Sequence, residues 1–317
     1  MIITVTINPT MDILYQVEEL KIGKTNRASN VKKMVGGKGI NTSRVLTILG
    51  QDNLAVGFLA GNTGKSILEE VNLEGIKNKF LNINGESRNA VTIMHDNNTQ
   101  TEINESGPPI TAGTLSLLEK EILKALQGKR GAYVSLAGRI YNEHTYFYSR
   151  LISTINRIYP DVKVVVDTSG DALHKVLEGA DKPYFIKPNI DELSELVGYE
   201  VSSNRKSLAK ALDNPLFLGV HGVLVSLGAE GAFAKINGRY YDMEVPDVPI
   251  QNPTGSGDST VAGLLYGLRN HLGNAETLRL AMACGISNAM QEKTGFVDLE
   301  EVETLKKQIH IKEIFIS

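Results

Sequence analysis

Ala132-Tyr133-Val134-Ser135-Leu136 is a short apolar run, and an amphipathic stretch from Glu143 to Ile158 separates it from a second one, Val162-Lys163-Val164-Val165-Val166. Runs this short and this rich in Val suit strands covered on both faces, and the stretch between them is long enough to return over a sheet as a helix. Strand, crossover helix and strand make a βαβ unit, so the two strands run parallel. Upstream, Thr111 to Leu126 reads as another helix; downstream, Tyr184 to Lys187 and Val223 to Ser226 read as strands with helices between them. Ile2-Ile3-Thr4-Val5-Thr6-Ile7 and Asn53 to Ala60 add two more buried strands. The pattern predicts an α/β fold with a doubly wound, mostly parallel sheet and helices on both faces. In such folds ligands lie beyond the carboxyl ends of the strands. Asp167, Lys187 and Ser226 each stand where an apolar run ends.

Four segments do not fit that rhythm. Ile13 to Val17 and Arg27 to Lys33 read as short strands, and Ala90 to Met94 and Thr101 to Ile103 flank a polar turn, His95-Asp96-Asn97-Asn98-Thr99. They predict a small antiparallel β lid, discontinuous in sequence at about 12–33 and 88–105, on a single domain spanning 1–317. There is no low-complexity linker and no internal repeat. The lid is also a candidate surface for pairing two copies into a homodimer.

Two glycine-rich turns open helices. Gly36-Gly37-Lys38-Gly39-Ile40-Asn41 precedes a helix carrying Val45, Leu46 and Leu49 that stops at Gly50, and Asn252-Pro253-Thr254-Gly255-Ser256-Gly257-Asp258 precedes one carrying Val261, Leu264, Leu265 and Leu268. Free N–H groups and the positive end of the helix dipole converge at such a turn and favour an anion. Asp258 reads either as a cap or as a carboxylate that takes a proton from a nucleophile attacking a bound phosphate. Lys38 brings positive charge and Asn41 brings groups suited to sugar hydroxyls. One turn for each reactant is the economical interpretation.

The chain resembles the PfkB (ribokinase-like) carbohydrate kinases on five segments in family order. Besides the two glycine turns, Asn8-Pro9-Thr10-Met11-Asp12 is similar to the family's substrate strand, Lys187-Pro188-Asn189-Ile190-Asp191-Glu192 to its KPNxxE segment, and Ser226-Leu227-Gly228-Ala229-Glu230-Gly231 to its nucleotide loop. The resemblance implies a ribokinase-like fold and ATP- and Mg²⁺-dependent phosphorylation. Asp258 would be the base, with the N–H groups of Gly255, Ser256 and Gly257 stabilising the phosphoryl charge. Asn189 and Glu192 would hold Mg²⁺ through water, although the NxxE spacing equally makes a helix capping pair. Lys187, Ser226, Gly228 and Gly231 would line the nucleotide site, with Asn288, and Cys284 before it, bordering adenine or packing in the core. Asp12, Gly37 and Asn41 would grip the sugar. Arg88 resembles the arginine with which phosphosugar members bind their substrate's phosphate; Lys24, Arg27, Lys38 and Arg139 are possible helpers, each of which alone reads as a solvated charge. Gly255 to Gly263 looks most like the tagatose-6-phosphate kinase branch, with the 1-phosphofructokinases close by. A catalytically silent sugar-phosphate sensor is the competing reading, and an intact Asp258 speaks for catalysis.

The bulk numbers set limits. A net charge of -3 over 317 residues gives no basic field for nucleic acid. Cys284 is the only cysteine, so no intramolecular disulfide forms, and the six histidines lack metal-ligand spacing. The chain opens directly on a strand without a leader and has no apolar run long enough for a membrane span, which predicts a cytoplasmic protein. Gly61-Asn62-Thr63-Gly64-Lys65-Ser66 ends like a P-loop, but the first glycine of that motif would fall at Leu59, so a plain turn is expected. Gly255-Ser256-Gly257 lacks the preceding strand of a dinucleotide site, which argues against a nicotinamide cofactor.

Overall fold

The computed structural model describes residues 1–96, 99–140 and 144–315. Numbered in chain order, ten strands form the main sheet: β14 (His310–Ile314), β13 (Arg239–Glu244), β12 (Ala232–Ile236), β11 (Gly222–Ser226), β10 (Phe185–Ile186), β9 (Lys163–Asp167), β8 (Tyr133–Ala137), β1 (Ile2–Thr6), β4 (Asn53–Leu59) and β5 (Asn78–Asn82). From β11 through β5 all neighbours are parallel, and β12 to β14 extend the sheet antiparallel at one edge.

Alternation along the parallel strands feeds two cores. Ile3, Val5, Val134, Leu136, Val164 and Val166 point to one face, against α3 (Ala112–Leu126), α4 (Phe147–Ile158), α5 (Asp171–Glu178), α6 (Ile190–Val197) and α7 (Arg205–Leu212). Ile2, Tyr133 and Val165 point to the other, against α1 (Lys38–Ile48), α8 (Ser256–Arg269), α9 (Asn274–Ala289) and α10 (Leu299–Gln308). Helices therefore cover both faces of a large mixed sheet, as the βαβ rhythm predicts. α3 starts on a capping box at Thr111, one residue inside the expected helix. The expected start of α4 at Glu143 lies outside the described residues.

The lid is a four-stranded sheet in the order β3 (Asn30–Gly36), β2 (Thr10–Gln16), β6 (Arg88–His95) and β7 (Thr99–Asn104). It departs from expectation in two ways. The β2–β6 pair is parallel, because β2 follows β1 and β6 follows β5, and β1 and β5 run in the same direction in the main sheet. The first two strands also lie about three residues from their expected positions. Asn26 holds residues 21–26 in an exposed turn, accepting from Lys21 N (2.9 Å) and donating to Lys21 O and Lys24 O. That local turn delays β3 until Asn30, so the strand runs into the glycine turn itself. The tip residues Asn97 and Asn98 lie outside the described residues.

The segment from Gly61 to Ser66 is not a plain turn. It is the start of α2 (Gly61–Leu73), whose Ile67 and Val71 pack on Met11 and Val35 of the lid. The helix N-terminus is already occupied by the Glu86 carboxylate, which accepts from Thr63 N at 2.5 Å.

Candidate active site

The Gly255 turn is built by backbone conformation. Gly255 has φ +83, and a Cβ there would sit 2.6 Å from Thr294 Cγ2 and 2.8 Å from Gly295 N. Asn252 braces the turn, accepting from Thr254 N (3.0 Å) and donating to Thr294 Oγ1 (3.2 Å). Ser256 N donates to Pro253 O at 3.2 Å, so this N–H, expected to face the phosphoryl group, is spent within the turn. Among the described residues the N–H groups of Gly255, Gly257 and Asp258 have no acceptor, an arrangement that can serve as an anion hole.

Asp258 lies in the first turn of α8 and is 7% exposed. The other glycine turn meets it directly. Asn41 Nδ2 donates to Asp258 Oδ2 (2.8 Å), and Thr42 Oγ1 donates to Asp258 O (3.2 Å). Burial pushes the Asp258 carboxyl up to about 6, against the pull of Lys38 nearby. Lys38 Nζ donates to Asp167 Oδ2 at 3.0 Å, and Lys187 Nζ lies 3.4 Å from Asp167 Oδ1. Burial alone would raise the Asp167 carboxyl, but Lys187 and Lys38 outweigh it and hold the group below its usual range; Asp167 in turn raises Lys38. Asp167 thus ties a lysine of the first glycine turn to one of the KPN segment. The sequence marks it only as a strand end.

Removing Asp167 would leave Lys187, 7% exposed, buried without its counter-charge, whereas Lys38, 42% exposed, can be hydrated. Asp167→Asn is therefore expected to lower stability by about 3 kcal/mol or more at pH 7, measured by urea unfolding. A stability equal to wild type would show that the two lysines do not depend on it.

On the lid side, the Asp12 carboxylate packs against the Cα of Gly36, where any side chain would collide with it. Burial pushes Asp12 up to about 6 as well. Gly37 caps α1 at φ +114, with Thr6 and Pro9 filling the space a Cβ would need. Asp12 and Asp258 are therefore linked through one turn, Gly36 to Asn41, on the same side of the sheet. Arg88 starts β6 opposite Thr10, on the Asp12 face of the lid. It lines a cavity of about 430 Å³ with Arg139, Asn8, Ser106 and Gly107. Among the described residues Arg88 Nε and Asn8 Oδ1 are buried without a partner, and Arg139 Nε donates to Ser169 Oγ (2.9 Å). Lys24 is in the exposed turn between β2 and β3 and does not line this cavity.

On the other side of Asp258, Lys187 Nζ would lie 3.3 Å from a Cβ on Gly257, which puts its ammonium beside the anion hole. Ser226 N donates to Pro188 O (3.1 Å), joining the KPN segment to the loop after β11. That loop turns through Gly228 (φ +61) and Gly231 (φ +91). A Cβ on Gly231 would strike the Met243 carbonyl, so Gly231→Ala is expected to cost about 1–3 kcal/mol in urea unfolding.

Asn189 and Glu192 form the capping pair: Glu192 N donates to Asn189 Oδ1 (2.8 Å) and Asn189 N to Glu192 Oε2 (3.0 Å). No hydrogen bond among the described residues engages Glu192 Oε1. Among the described residues there is no cluster of three or more His, Cys, Asp or Glu for a metal. One carboxylate oxygen suits Mg²⁺, which keeps most of its waters and takes phosphate oxygens. Asn288 does not border an open pocket. It is fully buried, donating to Thr254 O (2.9 Å) and Ser256 Oγ (3.2 Å) and accepting from Gly295 N (2.7 Å), so it knits the anion-hole turn to the loop after α9. Its amide is consumed by the Thr254 and Gly295 backbone and by hydroxyls of the α8 first turn, whose positions no sequence pattern reveals. Cys284, one helical turn earlier, is core, and burial pushes its thiol up to about 12.

The pfkB family carbohydrate kinase model matches residues 5–300. The chain belongs to the pfkB family of carbohydrate kinases. A tagatose-6-phosphate kinase of Staphylococcus epidermidis is 38% identical to this kinase over 314 residues, covering 99% of the chain and 100% of the relative. A putative phosphofructokinase of Staphylococcus aureus superposes with a TM-score of 0.84 at 31% identity, covering 99% of each chain. Phosphofructokinase-2 of Escherichia coli, solved with potassium, superposes on the kinase with a TM-score of 0.88 at 23% identity, covering 96% of this chain and 98% of that one, and shares the ribokinase-like fold. Among the described residues of the kinase, no helix is long and apolar enough to cross a membrane.

Proposed function

We propose that this kinase transfers the γ-phosphoryl group of ATP, with Mg²⁺, to a hydroxyl of a ketohexose monophosphate in the cytoplasm, with tagatose 6-phosphate as the first substrate to test. The observation that carries this reading is the convergence of Arg88 and Arg139 on one cavity lined by Ile7 and Asn8, which lie in the chain between Thr6 and Pro9, the residues packed on Gly37 of the turn that links Asp12 to Asp258. A neutral sugar does not call for two guanidinium forks, whereas a phosphate pairs with both.

In this reading the substrate phosphate sits between the arginines and Asp12 accepts a sugar hydroxyl, which aims a terminal hydroxyl at Asp258. Asn41 has one N–H on Asp258 and its carbonyl on Arg44, which leaves one N–H for the sugar. Asp258 takes the hydroxyl proton as the new P–O bond forms and ADP leaves. Developing charge on the phosphoryl oxygens meets the N–H groups of Gly255 and Gly257 and the Lys187 ammonium. Lys187, Ser226, Gly228 and Gly231 supply the nucleotide side. Mg²⁺, when bound at Glu192, neutralises phosphate charge.

The test is ADP release over a panel of tagatose 6-phosphate, fructose 1-phosphate, fructose 6-phosphate and the free sugars. Preference for tagatose 6-phosphate is expected. Preference for fructose 1-phosphate would make the protein a 1-phosphofructokinase, the activity in the name of a Thermotoga maritima protein of the same fold, described as a possible 1-phosphofructokinase. Sugar-phosphate binding without ADP release would make it a sensor, and reaction only with free sugars would reject the role of the arginines. The lid face opposite Asp12 carries Tyr15, Val31, Val91, Ile93 and Ile103, with Val31 46% and Ile103 58% exposed. Two copies pair through that face in this reading; sedimentation velocity showing only monomer would remove it.

A further inference from the structure

Arg44 sits on α1 three residues after Asn41, is 3% exposed, and has no place in the reaction described so far. Its donors are spread over four acceptors. Nε donates to Glu74 Oε2 (2.7 Å), Nη2 to Val35 O (2.8 Å), and Nη1 to both Thr294 O (3.1 Å) and Asn41 Oδ1 (2.9 Å). The bond to Asn41 has a chemical consequence. The two ends of an Asn amide have nearly the same shape, so only the chemistry of the neighbours decides which end faces which. A guanidinium offers donors alone, and an ionised carboxylate offers acceptors alone. Between Arg44 and Asp258, Asn41 has one orientation that satisfies both: carbonyl to Arg44, N–H to Asp258 Oδ2.

We propose that Arg44 is a positioning residue for phosphoryl transfer: by holding the Asn41 carbonyl it locks the amide so that its N–H fixes Asp258 Oδ2, leaving Asp258 Oδ1 to meet the acceptor hydroxyl. The inference rests on Asp258 being the base. Glu74 in turn holds Arg44, and its other oxygen takes Lys293 at 2.8 Å, so the guanidinium is clamped from behind. A lysine carries a single donor head and reaches fewer of these acceptors, which is why an arginine serves here.

A double-mutant cycle tests this on the full-length enzyme. Gln at position 44 offers an acceptor as well as donors, so in Arg44→Gln the Asn41 amide is free to turn its carbonyl towards Asp258. kcat is expected to fall by about 10–100-fold with KM for ATP within about threefold, while KM for the sugar phosphate rises as the N–H offered to the sugar turns away with the amide. The acid limb of the kcat profile should move to higher pH, because a carbonyl facing Asp258 opposes its ionisation. The other charged groups facing Asp258, namely Lys38, Asp167 and Lys187, are untouched in these variants. Asn41→Ala should cost a similar factor, and Arg44→Gln added to it should cost nothing more. Arg44→Lys, again donor-only, should recover most of the kcat and the wild-type limb.

Additive losses in the double variant, or equal losses in Arg44→Lys and Arg44→Gln with an unmoved limb, would overturn the proposal and leave Arg44 as a brace for Glu74 and Val35. If Arg44→Gln does not fold, neutron diffraction from the deuterium-exchanged wild type decides: deuterons on the Asn41 atom facing Asp258 are expected, and none there rejects the idea. A wild type that releases no ADP with any sugar phosphate would sink the assignment of the base itself. An active wild type with additive variants would sink Arg44 alone.

Discussion

Asp258→Asn is expected to lower kcat by roughly 10³-fold or more while leaving the dissociation constants of ATP and sugar phosphate within a few-fold of wild type. The amide cannot take the hydroxyl proton, yet it fills the same space and still accepts from Asn41 Nδ2. The same substitution should stabilise the unliganded protein. The Asp258 carboxyl is raised from 3.8 to about 6 in the folded chain, so its ionisation opposes folding. The sign follows from linkage. A group whose folded value is raised contributes stability that is fully present below the unfolded value and is lost as pH rises through the folded one. At pH 7.5 wild type has lost that contribution, and an uncharged Asn carries no such penalty. The variant should therefore be about 1–3 kcal/mol more stable than wild type at pH 7.5, with the gap closing towards pH 4. Thermal melts of both proteins across that range, with stopped-time ADP assays at pH 7.5, check the two halves together. Near-normal turnover would reject the base. Loss of turnover with no stability gain would reject the burial argument but keep the base.

The sequence carried the parts of the site that depend on local patterns. Val164 to Val166 announce a parallel strand, and the loop that follows such a strand is where ligands gather, so Asp167 and Lys187 were legible as strand-end residues. The glycine turns were legible because only glycine tolerates φ +114 at position 37 or +83 at position 255. Relations between distant segments were not legible. Nothing in Lys-Pro-Asn says that Lys187 shares Asp167 with Lys38, more than a hundred residues upstream. Arg44 carries no local signal at all, since its partners come from β3, the end of α2 and the loop before α10. Asn288 had two readings, an adenine border or core packing, and its burial favours the second: its amide is consumed by Thr254, Ser256 and Gly295. Lid register was lost to a local device, the Asn26 turn, which outranks strand propensity over residues 27–29.

Arg88→Gln is expected to raise KM for the sugar phosphate by about 10²–10³-fold while KM for ATP stays within about twofold. The magnitude follows from what is lost. Hydrogen bonds to charged groups contribute about 1.5–3 kcal/mol each, and a fork that makes two of them to a phosphate supplies about 3–5 kcal/mol. Arg88 can make that pairing because it lines the cavity and, among the described residues, its Nε is left without a partner. Arg139→Gln should cost less, about tenfold, since its Nε is already committed to Ser169 Oγ and the side chain is exposed. Gln keeps most of the stem and a donor, so the lid strand should still form. Turnover of the corresponding free sugar separates a lost phosphate contact from a damaged lid. If Arg88 grips the phosphate, kcat/KM for the free sugar is unchanged in Arg88→Gln, and the preference for the phosphorylated substrate shrinks by the full factor. An equal fall for both substrates would mean that Arg88 serves the lid's structure instead, and an unchanged KM for the sugar phosphate would remove it from the substrate site.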